Sequence, residues 1–207
     1  MKHLSILVAV LFLSTAALAQ AADASFTVGA SFVSDVKQTF TPTVGPSLID
    51  TIKTDHHIFL EGAVSVRMLN AHLASLSLEV PVAGIPSQNV GVGGLGSTVD
   101  HLSTVFVTPG FRLKLAPIAP ISPWVSVGGG WAHYSLESTH GTTNKAALQY
   151  GGGLDFKTGL PLLGFRAEVR DFVTTDPNSL FTGPSLTFQQ GLHHHNILAG
   201  GGIVLHF

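Results

Sequence analysis

In eight separate stretches of this chain, apolar side chains return at every second residue, a period that a strand satisfies and a helix cannot. In "LGFRAEVRDF", Phe165, Ala167 and Val169 fall on one face, while Arg166, Glu168 and Arg170 fall on the other. The stretches are residues 24–34, 55–68, 72–83, 101–116, 121–136, 144–158, 162–174 and 194–207. Each is near or above the roughly 9–11 residues that a tilted strand needs to cross a bilayer. Glycines and β-branched residues fill them, and both disfavour helix.

The connections alternate as regularly as the side chains. Links 35–54, 84–100, 137–143 and 175–193 are long, whereas 69–71, 117–120 and 159–161 are tight turns. Long loops at one end and short turns at the other suit a closed barrel that crosses a membrane.

Alternation alone does not say which face meets water. In "IFLEGAVSVRM", Ile58, Leu60, Val64, Val66 and Met68 oppose Glu61, Ser65 and Arg67. In "FVTPGFRLKL", Val105, Val107, Phe111, Leu113 and Leu115 oppose Thr104, Thr108, Arg112 and Lys114. A soluble sandwich would turn the apolar face inward. Composition argues the other way: only 11% of residues are charged, against about 25% in ordinary domains, and the mean hydropathy is +0.40. The N-terminus "MKHLSILVAVLFLSTAALAQA" has a basic start, a short apolar core and small residues at Ala17, Ala19 and Ala21. That layout predicts a secretory signal peptide over 1–21, cleaved after Ala19 or Ala21, and a single exported domain over 22–207. Its apolar core is short of the roughly 20 residues of a membrane-spanning helix. An exported chain with these loops places apolar side chains toward lipid and charges inside a closed wall. Aromatic residues then form two belts, with Phe26, Phe156, Phe165 and Phe207 at the turn end and Phe32, Trp131 and Tyr150 toward the loops.

The chain ends on "AGGGIVLHF", with Ile203, Leu205 and Phe207 on the outward face. In this ending and in its loop alternation, the sequence resembles the small outer-membrane β-barrel proteins of the OmpA/OmpX type. The resemblance implies an all-β fold, an eight-stranded antiparallel up-and-down transmembrane β-barrel in the bacterial outer membrane. It implies a C-terminal assembly signal at Gly202, Leu205 and Phe207, although Gly200 stands where a polar residue is usual. It also implies outer-membrane lipid and the outer-membrane assembly machinery as partners, and a monomer.

An eight-stranded barrel is only wide enough for its own side chains. The inward charges Glu61, Glu79, Arg112, Asp155, Arg166, Glu168 and Arg170 are therefore expected to pair and plug the lumen, since an unpaired buried ion is costly. Gly128, Gly130, Gly151 and Gly153 are expected to make room for the arginines. Histidines gather on the loop side: His56, His57, His101, His193, His194 and His195 form an expected extracellular cluster, with His133 and His140 near it. Imidazoles can bind metal or respond to pH, but here they lack supporting carboxylates at ligand spacing, so no metal and no cofactor are expected. "GVGGLG" (91–96) matches the dinucleotide fingerprint in letters only, because loop and strand follow it rather than a helix. A net charge of −2 gives no reason to expect nucleic acid, and the absence of cysteine excludes disulfides. The expected role is a non-enzymatic structural or surface-interaction protein, with an external ligand that the sequence does not name. A small-solute or ion channel, and after it a lipid-modifying barrel enzyme, are the alternatives.

Overall fold

The computed structural model describes residues 22–33, 36–40, 48–54, 57–91, 99–137, 141–175 and 193–207. The expected signal segment 1–21 lies outside them. Among the described residues every regular element is a strand. In chain order they are β1 (Ala22–Val33), β2 (Val36–Phe40), β3 (Leu48–Thr54), β4 (His57–Asn70), β5 (Ala74–Gly91) and β6 (Val99–Val107). There follow β7 (Gly110–Leu115), β8 (Ile121–Leu136), β9 (Thr142–Lys157), β10 (Leu163–Thr175) and β11 (His193–His206).

β6 and β7 are one stave of the wall. The pairs Val82↔Val107 and Glu79↔Gly110 keep a single register against β5. Val107↔Trp131 and Gly110↔Gly128 do the same against β8. Between β6 and β7 the ladder is interrupted at Thr108 and Pro109, where proline has no N–H to give. With these two joined, the wall runs β1, β4, β5, β6/β7, β8, β9, β10, β11 and returns to β1, an eight-stranded antiparallel barrel. Closure lies between the first and last strands, from Asp23↔His206 to Val33↔Asn196. The Phe207 N–H donates to the Ala22 carbonyl at 2.9 Å. A final strand paired to its last residue leaves no open edge, which bilayer hydrocarbon would not tolerate.

Two long links are more regular than expected. Within 35–54, β2 and β3 form a hairpin pairing Val36↔Ile52 to Phe40↔Leu48. Within 84–100, β5 continues past a bulge between Ile85 and Gln88 as far as Gly91. Lys53 and Thr54 of β3 pair with Gly91 and Val90 of β5. β-branched residues such as Val36, Thr39, Ile49 and Thr51 favour continued pairing in links that segment length alone marks as loop. Gly91, the first glycine of "GVGGLG", ends a strand rather than opening a helix, and 92–98 lie outside the described residues.

Burial settles the orientation that alternation leaves open. On β8, Ile121, Val125, Val127 and Trp131 are exposed, while Trp124, Ser126, Ala132 and Tyr134 are buried. On β10, Phe165 and Val169 are exposed, while Arg166, Glu168 and Arg170 are buried. Apolar side chains cover the outside and charges the inside, the reverse of a soluble domain and the order a lipid solvent demands. The belts form as expected at Phe26, Phe165 and Phe207 and at Phe32, Trp131 and Tyr150, with Phe156 only half-exposed.

Candidate functional site

The lumen is filled in two layers. The lower one, toward the turns, is ionic and surrounds Trp124, whose ring lies 4.8 Å from the Arg166 guanidinium, 5.0 Å from that of Arg170 and 5.8 Å from that of Arg112. Arg170 meets Glu61 at 3.0 Å, Glu79 at 3.1 Å and Glu168 at 3.3 Å. Arg112 meets Glu79 at 3.2 Å and Asp23 at 3.1 Å, and donates to the Ser65 hydroxyl at 2.7 Å. Arg166 grips Asp155 with two parallel bonds of 2.8 and 3.1 Å, a geometry that a guanidinium provides and an ammonium does not. Lys114 reaches the same carboxylate at 2.7 Å, and the Trp124 indole N–H donates to it at 3.2 Å. Asp23, Glu61, Glu79, Asp155 and Glu168 thus face Arg67, Arg112, Lys114, Arg166 and Arg170 charge for charge. Such a balance is what lets ions sit in a narrow interior at all.

All seven lumen charges read from the sequence meet here. Asp23, Arg67, Lys114 and Trp124 join them, although the sequence does not single them out as part of the set. Asp23 shares its parity with Ser25 and Thr27, and Trp124 with Ser122 and Ser126, so a polar neighbour two residues away was the available signal.

The upper layer was not anticipated. Phe59, Ile85, Phe106, Tyr134, Phe172 and Leu198 pack into an apolar cluster inside the loop half of the barrel. Phe106 lies 4.6 Å from Phe172 and meets Tyr134 edge-on at 6.4 Å, both centroid to centroid. The Tyr134 hydroxyl is satisfied by Thr174 Oγ1 at 2.8 Å. A Cβ at Gly29 or Gly200 would stand within 3 Å of the Phe59 ring, so these two glycines admit it. The expected role of the β8 and β9 glycines is corrected in part. Gly151 does clear the Arg170 side chain, but Gly153 clears Trp124, while Gly128 and Gly130 abut backbone carbonyls of Thr108 and Val107. They bring the β8 and β6/β7 backbones close together instead of seating an arginine.

Among the described residues, the members of the expected histidine cluster lie on three strands. His57 lies on β4, His101 on β6, and His193, His194 and His195 on β11, spread round the rim; His56 and His140 lie outside the described residues. His101 Nδ1 lies 3.2 Å from the Ser87 hydroxyl, and His133 Nδ1 lies 2.8 Å from Asn144 Oδ1. His195 Nδ1 contacts Asp171 Oδ2 at 2.7 Å, and the Tyr150 hydroxyl donates to the same oxygen at 2.6 Å. Asp171 shares the outward parity of Phe165 and Val169, so these two partners explain how a carboxylate is tolerated on the outer wall. Among the described residues, no three His, Cys, Asp or Glu side chains are placed to hold a metal ion. At the C-terminus, Leu205 and Phe207 face outward and Gly202 sits against β1, where a Cβ would strike the Phe26 carbonyl.

Cavities open at both ends of the described barrel. One of about 510 Å³ occupies the turn-end mouth, lined by Arg67, Lys114, Lys157 and His206 together with the turns, and none of the three stacked arginines lines it. The other, about 460 Å³, lies at the loop end among Ser87, His101, Ser103, Ser135 and Glu137.

No family model and no curated protein matches the chain. Among solved structures it is similar to the outer membrane protein OprG from Pseudomonas aeruginosa. The two share 13% identity and a TM-score of 0.55 over 91% of this chain and 98% of that one. Neisserial surface protein A is similar at 13% identity and a TM-score of 0.47, covering 89% of this chain and 99% of its own. The outer membrane enzyme PagL is similar at 14% identity and a TM-score of 0.42, covering 87% and 97%. From its own closed wall and its likeness to OprG, the chain has the fold of a small bacterial outer-membrane protein, an eight-stranded antiparallel β-barrel.

Proposed function

We propose that this protein is a non-enzymatic barrel of the outer membrane, exported by its N-terminal segment, which holds extracellular connections on a rigid, sealed wall for contacts at the cell surface. One observation carries this reading: the lumen is closed twice, by the charge-balanced layer round Trp124 and by the aromatic layer round Phe106. A permeant ion would have to displace paired charges and then cross an apolar plug. The purified barrel in a planar bilayer is expected to show no steady conductance. A stable single-channel current would refute the sealed reading and establish the channel alternative.

A lipid-modifying enzyme is the second reading, and the outward Asp171–His195 pair at the height of the Tyr150 belt favours it. An acid that orients an imidazole is part of many nucleophilic sites, but chemistry also needs a nucleophile within reach of the base. Incubating the barrel with radiolabelled outer-membrane lipid separates the readings: no released or transferred acyl chain is expected, and release abolished by His195→Asn would overturn the non-enzymatic reading.

A further inference from the structure

The turn-end cavity combines a cationic and an apolar lining. Its inner side is cationic, with Arg67, Lys114 and Lys157, and none of its lining residues is an aspartate or glutamate. Its outer side is apolar, formed by Pro117, Ile118, Leu160, Leu162 and Phe207. Ile118, Leu160 and Leu162 are strongly exposed although they stand in turns, where polar residues are usual.

The cations are not equivalent. Lys114 is held by Asp155 at 2.7 Å and Asp23 at 3.6 Å, and Arg67 reaches Asp23 at 3.9 Å. Both belong to the balanced set of the ionic layer. Lys157 stands outside that balance. Its ammonium donates to the Pro117 carbonyl at 2.6 Å, a neutral acceptor, and meets no carboxylate among the described residues. Lys157 thus presents an ammonium with no carboxylate in contact, beside an apolar wall. Its volume of about 510 Å³ lies within the roughly 300–1,000 Å³ of small-molecule sites.

We propose that this cavity binds a single-chain anionic amphiphile, a fatty-acid carboxylate, with its head on Lys157 and Arg67 and its chain against Ile118, Leu160 and Leu162. A carboxylate gives the Lys157 ammonium an ionised partner, and a charge-assisted hydrogen bond is stronger than the carbonyl contact it replaces. The chain lies along the exposed apolar residues of the turns. The site lies below the ionic layer, so it takes its ligand from the turn side and is independent of any passage through the barrel.

The test uses the whole mature barrel in phosphatidylcholine nanodiscs and dodecanoate bearing a diazirine near its terminal methyl. After irradiation, labelling is expected to concentrate in peptides covering 116–119 and 158–163. It should fall about tenfold in Lys157→Gln, the loss of one hydrogen bond to an ionised group, and persist in Lys157→Arg. Leu160→Glu, a change in an exposed turn, should abolish it by placing a second carboxylate in the cavity, and heat-modifiable gel mobility verifies that each variant is folded. Equal labelling by the matching dodecanol probe would overturn the proposal, as would undiminished labelling of folded Lys157→Gln. Competition by inorganic phosphate as complete as that by unlabelled dodecanoate would also overturn it, since the site would then take any free anion.

Discussion

Replacing Arg170 by methionine tests whether the ionic layer holds the barrel together. Arg170 is fully buried and is the cation on Glu61, at 3.0 Å, while also contacting Glu79 and Glu168. Neither oxygen of Glu61 has a well-aligned hydrogen-bond donor, so the guanidinium charge is what compensates that carboxylate. Methionine preserves much of the volume but strands Glu61 and leaves Glu79 and Glu168 to Arg112 and Arg166. Removing one partner of a buried pair costs about 3–5 kcal/mol, or roughly two to four orders of magnitude in the folding equilibrium. The paired variant Glu61→Gln with Arg170→Met should recover part of that loss, because the stranded charge is gone. A double-mutant cycle should therefore show a coupling of about 1–3 kcal/mol. Urea unfolding in phospholipid vesicles, read by gel mobility and by fluorescence, gives all four stabilities. Trp124 adds a local signal, since one of its three stacked guanidinium groups is removed. If Arg170→Met unfolds within about 1 kcal/mol of the wild type, below the cost of a stranded buried charge, the layer is a solvated lining. Strict additivity in the cycle would likewise refute the direct Arg170–Glu61 interaction.

Protease added to intact cells should cut within 35–54, 84–100, 137–143 or 175–193 and spare 117–120; cleavage at 117–120 would invert the topology. Phe207→Asp should lower the amount of folded protein in the outer-membrane fraction, because it places a charge at the lipid-facing end of the closing strand; unchanged levels would remove the terminal aromatic from the assembly signal. Ala116 has a φ of 45°, a left-handed conformation that costs an alanine about 1–2 kcal/mol. Ala116→Gly should therefore raise the urea midpoint by an equivalent of up to about 1 kcal/mol, and a lowered midpoint would show that this turn is not strained.

How much of this was legible in the sequence follows from what a period of two encodes. It assigns each residue to a face, so Arg166, Glu168 and Arg170 could be placed inside as soon as the outside was known to be lipid. It does not say how high in the barrel a residue sits or which distant strand it faces. Phe59, Phe106 and Phe172 share inward parity with Glu61, Thr104 and Arg170, yet they lie on three strands that meet only when the barrel closes. The apolar upper layer was invisible for that reason, and Trp124, read one strand at a time, was merely an aromatic between two serines. The β2–β3 hairpin was hidden differently: its residues 36–40 and 48–54 are too short to cross a bilayer, and the length criterion that found the wall passed over them.

The same parity explains why the ionic layer can enforce the fold that contains it. A slip of one residue in the pairing of β10 would send Arg166, Glu168 and Arg170 into lipid and Phe165, Ala167 and Val169 into the lumen. An arginine at the bilayer midplane costs about 2–4 kcal/mol, and each misplaced side chain would also abandon a partner inside. Those partners are remote in sequence: Asp23 for Arg112, Glu79 for Arg170, and the Ser25 hydroxyl for Arg166. No hairpin formed from neighbouring strands can satisfy them. Glu79 gains both Arg112 and Arg170 only when β5, β7 and β10 surround one lumen, and Asp23 brings β1 to the same centre. The charges therefore penalise every partly closed or shifted sheet more than the correct barrel. Their contribution to net stability in the finished wall is smaller than their power to select its register, because desolvation offsets much of each attraction once the wall is complete.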